Sequence, residues 1–515
     1  MSLRTASALA FATIGVIVSA GDTYSIGGPP QPLLLTSGIS TGDVTPSSAV
    51  VWARSSARAQ MHVEVATTPT FTGAKSRWNA RASEESDFTA QVILRGLEAD
   101  TRYWYRVWFA GAGSAGRAEI SDSMVGEFTT APAPWQSRRV SFIVGADLGG
   151  QRFCRNVAQG GYAIFAKMEA LAPDLFIANG DLIYADGDCP AEGPDGPGGW
   201  ENIPGDFPSI ADPSVDWTDR GAVREVFLRH YRYNHADPFY QSFLRRTPVI
   251  SQWDDHEVIN DFGAGWDYWN SATIGRAGYP NLVSAGLETF FAYSPVERQV
   301  ADPNRIYRSF RYGQDVEIFV LDARTYRDRN DLPDTAENDK VMLGREQLTW
   351  LVDGIRASTA TWKIVSSDVP MSITTGSVAF GRDAWANLGA EPSGFERELL
   401  RMLSELDRAN ARNVVFVTTD VHFAQTIRYD LDADRDGDRL VLHELVSGPL
   451  NAVRAVPRPL DPAANPTSLY AEGGMFNFTY VRIERQEDGV VHLVADVRGP
   501  DGLPRPGSHL DLLPH

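Results

Sequence analysis

Short apolar runs, each followed by an acidic residue, recur along the chain from residue 138 onwards. The runs are Val140–Val144, Leu175–Ala178, Pro248–Ile250, Ile318–Leu321, Trp362–Val365 and Val414–Val417. In the same order, the acids that follow them are Asp147, Asp181, Asp254 with Asp255, Asp322, Asp368 and Asp420. Runs this short, without polar alternation, are typical of strands that are buried on both faces. Helical segments lie between them, so the pattern predicts an α/β domain over residues 138–515.

Two of the helical segments have boundaries that can be predicted. Gly161–Leu171 lies between the first two runs, as the crossover between parallel strands requires. Gly394–Leu406 follows Ser393, and Glu396 stands three residues after that serine. This spacing predicts a capping box with Ser393 at the start of the helix.

Residues 33–132 show a different pattern, in which apolar and polar positions alternate over short segments. Ala49–Arg54 and Tyr103–Trp108 are examples. Alternation with a period of two predicts half-buried strands, and several such strands in series predict an antiparallel sandwich. The segment Leu97–Tyr105 resembles the corner of a fibronectin type III-like module. Residues 131–137, with two prolines, are the predicted linker to the α/β domain.

The first twenty residues have the features of an export signal. Residues 1–20 contain one early arginine, an apolar run at Ala8–Val18 and two small residues at the end. This order predicts a signal peptide cleaved after Ala20 and followed by a Gly/Pro linker over residues 21–32. The alternative is a single membrane anchor, but the run is interrupted and short for a span. No later run is long enough to cross a bilayer, so we expect a secreted or periplasmic protein.

Length and charge narrow the classes of function. A chain of 515 residues suggests two or three domains. The formal net charge of -19 argues against a general nucleic-acid binder, because phosphate backbones favour lysine and arginine. A small phosphate ester remains compatible with this charge, since a bound cation reverses the local field.

The only two cysteines, Cys154 and Cys189, each lie a few residues beyond a candidate acid. In an oxidising compartment, two thiols on neighbouring loops most simply form one disulfide. The alternatives are that a thiolate binds a metal or that both cysteines are unpaired.

The acids that follow the apolar runs indicate a metal site. In open α/β sheets, ligands bind beyond the carboxyl ends of the strands. Several aspartates gathered there would repel one another, and some would stay protonated unless a cation intervened. The alternative is that the acids are turn formers.

Three motifs that carry these acids resemble a known family when they are taken in order. The motifs are Gly145–Gly150 with Asn179–Tyr184, then Trp253–Asp261, then Thr418–His422. They are similar to the metallophosphatase (calcineurin-like) superfamily and, in detail, to the PhoD-type alkaline phosphatase and phosphodiesterase family. The supporting matches are Leu321–Arg327, Leu343–Gln347 and Asp383–Trp385. The resemblance implies an α/β fold with a metallophosphatase-type β-sandwich flanked by helices, preceded by the fibronectin type III-like all-β module.

The resemblance also implies a two-metal site. The ligands of one metal would be Asp147, Asp181, Tyr184 and His422. Asp181 would bridge to a second metal, whose other ligands would be Asp255 and Asp420. A phenol with an ordinary pKa of about 10 binds as an anion only to a strongly acidic metal, so Tyr184 indicates Fe³⁺. The oxygen-rich second set suits Ca²⁺, Mg²⁺ or Mn²⁺, and the resemblance favours Ca²⁺.

Alternatives and departures bear on this ligand set. Tyr184 would otherwise be only an aromatic wall of the site. Family members often carry a cysteine where this chain has Asp147, which puts the identity of the metal in doubt. Asp368 stands where the family tends to have an amide, and is a candidate for an extra ligand.

The mechanism implied by the resemblance is metal-assisted hydrolysis, in which a metal-activated hydroxide attacks phosphorus in line. His256 would act as general acid or electrostatic stabiliser near the leaving oxygen, or would only support Asp255. Asn260 would donate to a phosphate oxygen or would only cap its loop.

We therefore expect a secreted phosphoesterase that acts on small-molecule phosphate mono- or diesters. A phospholipase D-like phosphodiesterase is the close alternative. A non-catalytic, metal-stabilised extracellular binding protein is the alternative from another class of function. The complete ligand set together with His256 favours catalysis.

Overall fold

Two β-sheets stack face to face at the centre of the molecule, and strands from both ends of the chain belong to the larger one. The computed structural model describes residues 32–73, 76–112, 118–210, 212–263, 275–377, 381–387 and 393–515. The predicted signal peptide and the predicted linker up to residue 31 lie outside the described residues. In the described part of the chain, no helix is long and apolar enough to cross a membrane.

The elements follow one another in a β-rich N-terminal region and an α/β domain. The strands of the N-terminal region are β1 (Leu35–Gly42), β2 (Ser48–Ser55), β3 (Ala59–Ala66), β4 (Ser76–Ala82), β5 (Thr89–Arg95), β6 (Arg102–Ala112), β7 (Ala118–Ile120) and β8 (Met124–Thr129). The later strands are β9 (Val140–Gly145), β10 (Leu175–Asn179), β11 (Val249–Gln252), β12 (Arg308–Tyr312), β13 (Val316–Val320), β14 (Trp362–Ser366), β15 (Gly376–Ser377), β16 (Gly381–Arg382), β17 (Val414–Thr418), β18 (Ala424–Leu431), β19 (Leu440–Val446), β20 (Pro466–Glu472), β21 (Phe478–Arg485), β22 (Val491–Arg498) and β23 (Leu510–Leu512). The helices are α1 (Ile164–Glu169), α2 (Arg220–His235), α3 (Pro238–Leu244), α4 (Gly275–Tyr293), α5 (Gly344–Ala357) and α6 (Glu396–Arg408).

The larger sheet has nine strands in the order β23-β22-β21-β9-β10-β11-β1-β2-β5. Its central strands β9, β10 and β11 are parallel, with Ile177 opposite both Val144 and Ile250. Their carboxyl ends therefore meet at one edge of the sheet, where the acidic motifs begin.

The second sheet has seven strands in the order β12-β13-β14-β17-β19-β18-β20. Strands β13, β14, β17 and β19 are parallel, with Ile364 opposite Ile318 and Val415. The acids that follow β13, β14 and β17 are thus gathered at the carboxyl edge of this sheet.

The facing surfaces of the two sheets form one apolar core. Phe142 and Ile177 from the larger sheet and Ile318 and Val415 from the second are buried in it. The indole N–H of Trp362 donates to a main-chain carbonyl of β22, 2.9 Å away, across the gap between the sheets. Helices cover the outer faces, so the parallel strands are buried on both sides. This explains why their sequences are apolar runs without alternation.

Helices flank the sandwich on both sides, as expected for an α/β fold. Helices α5 and α6 pack on the outer face of the seven-stranded sheet, while α1 and α3 pack on the outer face of the nine-stranded sheet. Helix α5 buries Leu348, Leu351, Val352 and Ile355, which lie on one side of a helix with 3.6 residues per turn.

The predicted boundaries of two helices were wrong. Helix α1 covers only the middle of the predicted segment 161–171. Helix α6 begins at Glu396 and has Phe395, not Ser393, at its N-cap position. A carboxylate from a distant loop, Asp334, instead accepts a hydrogen bond from the Arg397 amide at 3.0 Å. The first turn is thus satisfied by a tertiary contact, which a local capping pattern does not reveal.

The N-terminal region is all-β in its described residues, as predicted, and it is joined to the larger sheet of the α/β domain. Strands β1, β2 and β5 continue that sheet, with Gly42 opposite Val249 of β11. The other N-terminal strands form a separate sheet that packs against them. Just after β1, the buried carboxylate of Asp43 lies 2.8 Å from a guanidinium nitrogen of Arg308 on β12. The likeness of this region to a fibronectin type III module stays a prediction.

Candidate metal centre

Loops from both sheets converge on one buried cluster. Asp147 follows β9, Asp181 follows β10, and His422 lies four residues beyond β17. One potential ligand atom from each of these three side chains lies within 4.8 Å of the other two. All three residues are buried.

A second set of carboxylates adjoins the first. Potential ligand atoms of Asp254, Asp255 and Asp420 also lie within 4.8 Å of one another. Asp181 also adjoins the second set, because its carboxylate and potential ligand atoms of Asp255 and His256 lie within 4.8 Å of one another. The carboxylate predicted to bridge two cations therefore lies between the two sets.

Tyr184 completes the first set. Its hydroxyl lies 3.1 Å from Nε2 of His422. Nδ1 of His422 donates to the carbonyl of Val453 at 2.8 Å, so Nε2 keeps its lone pair and faces the cluster. Burial lowers the pKa of His422 to about 4, which keeps the imidazole neutral. All six side chains predicted as ligands thus lie around one centre.

The backbone at these side chains is left-handed. The φ angles of Asp147, Asp181, Asp420 and His422 are 61°, 49°, 71° and 62°. This conformation is energetically unfavourable for residues that have a β-carbon. Such strain persists where the surrounding structure fixes the backbone. Four of the six predicted ligands share this feature, so the loops hold the side chains in orientations that an unstrained turn would not give.

Two glycines are required by close approach to the cluster. A β-carbon at Gly448 would lie 2.2 Å from Oδ2 of Asp147, and one at Gly180 would lie 2.4 Å from Cβ of Asp254. Both glycines also have positive φ angles, of 100° and 90°. Any larger residue would move a carboxylate of the centre.

Glu257 holds the loops together from behind. Its carboxylate accepts hydrogen bonds from the amides of Asp181 (3.0 Å), Leu182 (2.8 Å) and Asp254 (2.8 Å). No role of this residue was predicted from the sequence. Its only sequence signal was its place in the motif 253–261.

The donor set fits cations. Both carboxylate oxygens of Asp147, Oδ1 of Asp255 and Oδ2 of Asp420 are buried without a hydrogen-bond partner. Burial and the neighbouring acids raise the pKa of Asp181 and Asp420 well above the usual value of a carboxyl group. Cations among these oxygens would reverse that shift and supply the missing partners. The oxygen-rich set with one imidazole matches hard cations.

Burial and the surrounding carboxylates also raise the pKa of Tyr184 well above that of a free phenol. A strongly acidic cation next to the phenol oxygen would oppose both effects, because its charge favours the phenolate. Tyr184 therefore suits a ligand role only together with such a cation.

His256 is fixed beside the centre by Asp186. Its Nδ1 lies 2.8 Å from one oxygen of Asp186, and the other oxygen accepts the amide of Asn260 at 3.0 Å. Burial disfavours the charged imidazole, but Asp186 and Asp255 outweigh it and raise the pKa of His256 to about 10. Nε2 lies 3.9 Å from an oxygen of Asp255. The sequence analysis did not assign this orienting role to Asp186.

A buried arginine lies behind the second set of carboxylates. The guanidinium of Arg324 lies 2.5 Å from Asp254, 2.7 Å from Asp383 and 3.3 Å from Asp368. Asp368 also accepts a hydrogen bond from the side-chain amide of Gln252 at 3.0 Å. The candidate extra ligand is therefore engaged by an arginine and a glutamine. Arg324 belongs to a motif that supported the family resemblance. Its ion pairs with the buried aspartates were not predicted.

The loops after β9 and β10 are covalently linked. Cys154 and Cys189 form a disulfide, as the sequence analysis favoured over its alternatives. Both cysteines are buried. A thiolate metal ligand and a pair of free thiols are thereby ruled out.

A cavity of about 230 Å³ opens above the cluster. Asp181, Asp255 and His422 line this cavity, and so do His256 and Asn260. The two residues predicted to act on the substrate thus border the same space as the predicted ligands.

Comparisons with known proteins agree with this architecture. A family model described as PhoD-like phosphatase matches residues 150–492, and one described as the PhoD-like phosphatase N-terminal domain matches residues 26–132. Alkaline phosphatase D of Bacillus subtilis (strain 168) is 24% identical over 454 residues, which cover 80% of this chain and 68% of that protein.

Two solved structures share the fold. One, titled Structure of PhoD, superposes with a TM-score of 0.70 at 20% identity and covers 93% of this chain and 89% of that one. The other is purple acid phosphatase PPD1 from yellow lupin (Lupinus luteus) seeds. It has a TM-score of 0.58 at 12% identity, and the match covers 94% of this chain and 75% of that one. Because the first family model spans more than half of the chain, the protein belongs to the PhoD-like phosphatase family and is a phosphoric ester hydrolase.

Proposed function

We propose that this protein is a secreted, metal-dependent phosphoesterase that hydrolyses small phosphate mono- or diesters at a two-cation centre. The observation that carries the proposal is the convergence of partnerless, buried carboxylate oxygens from loops of both sheets. Asp181 lies between two sets of such groups, which is the arrangement that a bridging ligand needs.

The ligand assignment follows the two sets. Asp147, Asp181, Tyr184 and His422 would hold Fe³⁺. Asp181, Asp255 and Asp420 would hold a divalent cation, with Ca²⁺ favoured over Mg²⁺ or Mn²⁺. Bound cations of this kind supply a nucleophile from water at neutral pH and offset the negative charge of the phosphoryl oxygens.

His256 acts on the leaving oxygen. Asp186 fixes the imidazole through Nδ1 and favours its charged form, so Nε2 is the nitrogen that would donate the proton. The ring lies against Tyr184, with ring centroids 4.0 Å apart, so its orientation is set by two contacts. The departing alkoxide would otherwise carry a full negative charge, and a proton from Nε2 neutralises it.

Asn260 binds a phosphoryl oxygen at the rim of the cavity. The backbone N–H of Asn260 donates to Asp186. The same carboxylate therefore positions both His256 and the residue that carries the side-chain amide. Asn260 is exposed and lines the cavity, where its side chain is accessible to a substrate.

Export of the protein is part of the proposal. The predicted signal peptide over residues 1–20 supports it, and so does the disulfide between Cys154 and Cys189, because such bonds persist in oxidising compartments.

Hydrolysis of p-nitrophenyl phosphate and bis(p-nitrophenyl) phosphate by the purified protein tests the proposal. We expect release of p-nitrophenol that stops after chelation and returns when iron and calcium are added together. Asp181→Asn should abolish turnover, whereas Asp188→Asn, a change at a more exposed acid of the same loop that pairs with Arg152, should not. Turnover that survives both chelation and Asp181→Asn would show that the cluster is not the catalytic centre.

A further inference from the structure

The segment 451–460, which follows strand β19 and the Gly448–Pro449 turn, lies beside the predicted metal ligand His422. The carbonyl of Val453 accepts the Nδ1 proton of His422 at 2.8 Å, and the amide of Ala455 donates to the His422 carbonyl at 3.0 Å. On the other side, the amide of Val453 donates to Oε1 of Gln151 at 3.2 Å. The segment is therefore held against the predicted ligand on one side and against the β9 loop on the other.

Arg458 brings a cation from this segment to the cavity. It lines the same space as Asp181, Asp255 and His422, and in the described part of the chain it is the only arginine or lysine that does so. Its Nη1 donates to the carbonyl of Thr374 at 2.9 Å, which aims the guanidinium without neutralising it. No carboxylate among the described residues forms an ion pair with Arg458 within 4.0 Å.

Arg454 on the same segment shows the contrast. Its Nη2 lies 3.4 Å from the carboxylate of Asp195, and its guanidinium lies 4.9 Å from the ring centroid of Phe153. Arg454 thus has an acid and an aromatic partner, whereas Arg458 lines the cavity and donates to one carbonyl.

The N–H donors of an arginine next to a phosphoesterase site are suited to bind the phosphate group of a substrate. Guanidinium groups bind phosphate oxygens through paired N–H donors, and this charge-assisted contact is stronger than a neutral hydrogen bond. Three carboxylates that line the same cavity, Asp181, Asp255 and Asp420, are assigned to the proposed cations, so we assign the substrate phosphate to Arg458.

We propose that Arg458 binds a non-bridging oxygen of the phosphate ester and makes the site prefer monoesters over diesters. This inference rests on the proposed phosphoesterase function. Above pH 7 a monoester phosphate is close to doubly charged, because its second pKa is about 6, whereas a diester carries one charge. A fixed cation therefore stabilises the bound monoester more. A monoester also has three non-bridging oxygens and a diester only two, because a second ester group takes the place of one of them.

Three variants and three probes test the assignment. The variants are Arg458→Ala, Arg458→Lys and the matched control Arg454→Ala. The probes are p-nitrophenyl phosphate as monoester, bis(p-nitrophenyl) phosphate as diester, and inorganic phosphate as competitive inhibitor and as calorimetric ligand of the cation-loaded protein.

For Arg458→Ala we expect kcat/KM on the monoester to fall about 10- to 100-fold, because one charge-assisted contact with the substrate is lost. Most of this fall should come from an increase in KM. The inhibition constant of inorganic phosphate should rise by a similar factor, and kcat/KM on the diester should fall less than about threefold. Arg458→Lys should recover part of the loss, and Arg454→Ala should match the wild type on every probe. Arg458 is exposed, so the thermal midpoint of the variant should not change.

Equal losses on monoester and diester would overturn the assignment, and so would unchanged phosphate binding in Arg458→Ala. If the wild type hydrolyses neither ester, the proposed function fails instead. Calorimetry with inorganic phosphate then still decides whether Arg458 is an anion-binding residue.

Discussion

Replacing Arg324 with methionine should destabilise the folded protein by about 4 kcal/mol. The guanidinium lies 2.5 Å from Asp254, 2.7 Å from Asp383 and 3.3 Å from Asp368, and all four side chains are fully buried. Methionine fills a similar volume, so the loss arises from the charge and not from a cavity.

The magnitude follows from what the two nearest carboxylates keep. Asp383 retains Arg327, 3.0 Å away, and the amide of Asn330 at 2.7 Å, so its charge stays compensated. Asp254 loses its arginine, and its other oxygen already lacks a hydrogen-bond partner. Leaving one buried charge uncompensated costs about 3–5 kcal/mol, a large share of a typical unfolding free energy of about 5–15 kcal/mol.

Chemical denaturation followed by tryptophan fluorescence measures the loss. The double variant Arg324→Met with Asp254→Asn removes the stranded charge, so it should recover at least half of the stability. A coupling energy of about 2 kcal/mol or more is expected from this cycle. A loss below about 1 kcal/mol for the single variant, or additive effects in the cycle, would refute the view that Arg324 serves as an internal counter-charge.

Three further changes test other parts of the structure. Glu257→Gln presents an amide donor to backbone donors, so denaturation should show a loss of about 2–3 kcal/mol, and an unchanged midpoint would contradict the role of Glu257 as an acceptor. Replacing both Cys154 and Cys189 with serine opens a loop with a sequence separation of 35 and should cost about 4 kcal/mol in unfolding experiments. A double variant as stable as the oxidised wild type would show that this link is dispensable. Asp43→Ala leaves Arg308 buried without its partner and should cost about 3–5 kcal/mol. Limited proteolysis should then release the N-terminal region first, and an unchanged cleavage pattern would show that the pair does not join the two parts.

The positions of the acids could be predicted because the strands before them are simple. Val140–Val144 and Leu175–Ala178 are buried on both faces, so each appears in the sequence as an unbroken apolar run. Parallel strands deliver their carboxyl ends to one edge, and Asp147 and Asp181 therefore had to be neighbours. The same reasoning placed Asp420 at the end of a buried strand. Only the structure shows that this strand, β17, belongs to a second sheet.

The supporting residues could not be predicted, because their partners are distant in the sequence. Glu257 contacts the amide of Asp181, 76 positions away, and Arg324 contacts Asp254 across 70 positions. One-letter patterns report local spacing and burial, not which charged side chains meet. The same limit explains the wrong capping box at Ser393, where a distant carboxylate replaced the local cap.

The continuation of the larger sheet into the N-terminal region could not be predicted from the sequence either. Alternating residues predicted strands, but β1 lies beside β11 through a single register pair, Gly42 opposite Val249. Neither segment carries a signal for that pairing.

Elemental analysis of the purified protein after exhaustive dialysis tests the central claim most directly. We expect two tightly held cations per chain, one of them iron, and the loss of both in Asp181→Asn but of neither in Asp188→Asn. A dialysed protein that holds no cation yet hydrolyses phosphate esters at full rate would contradict the two-cation centre. So would an Asp181→Asn variant that keeps both ions.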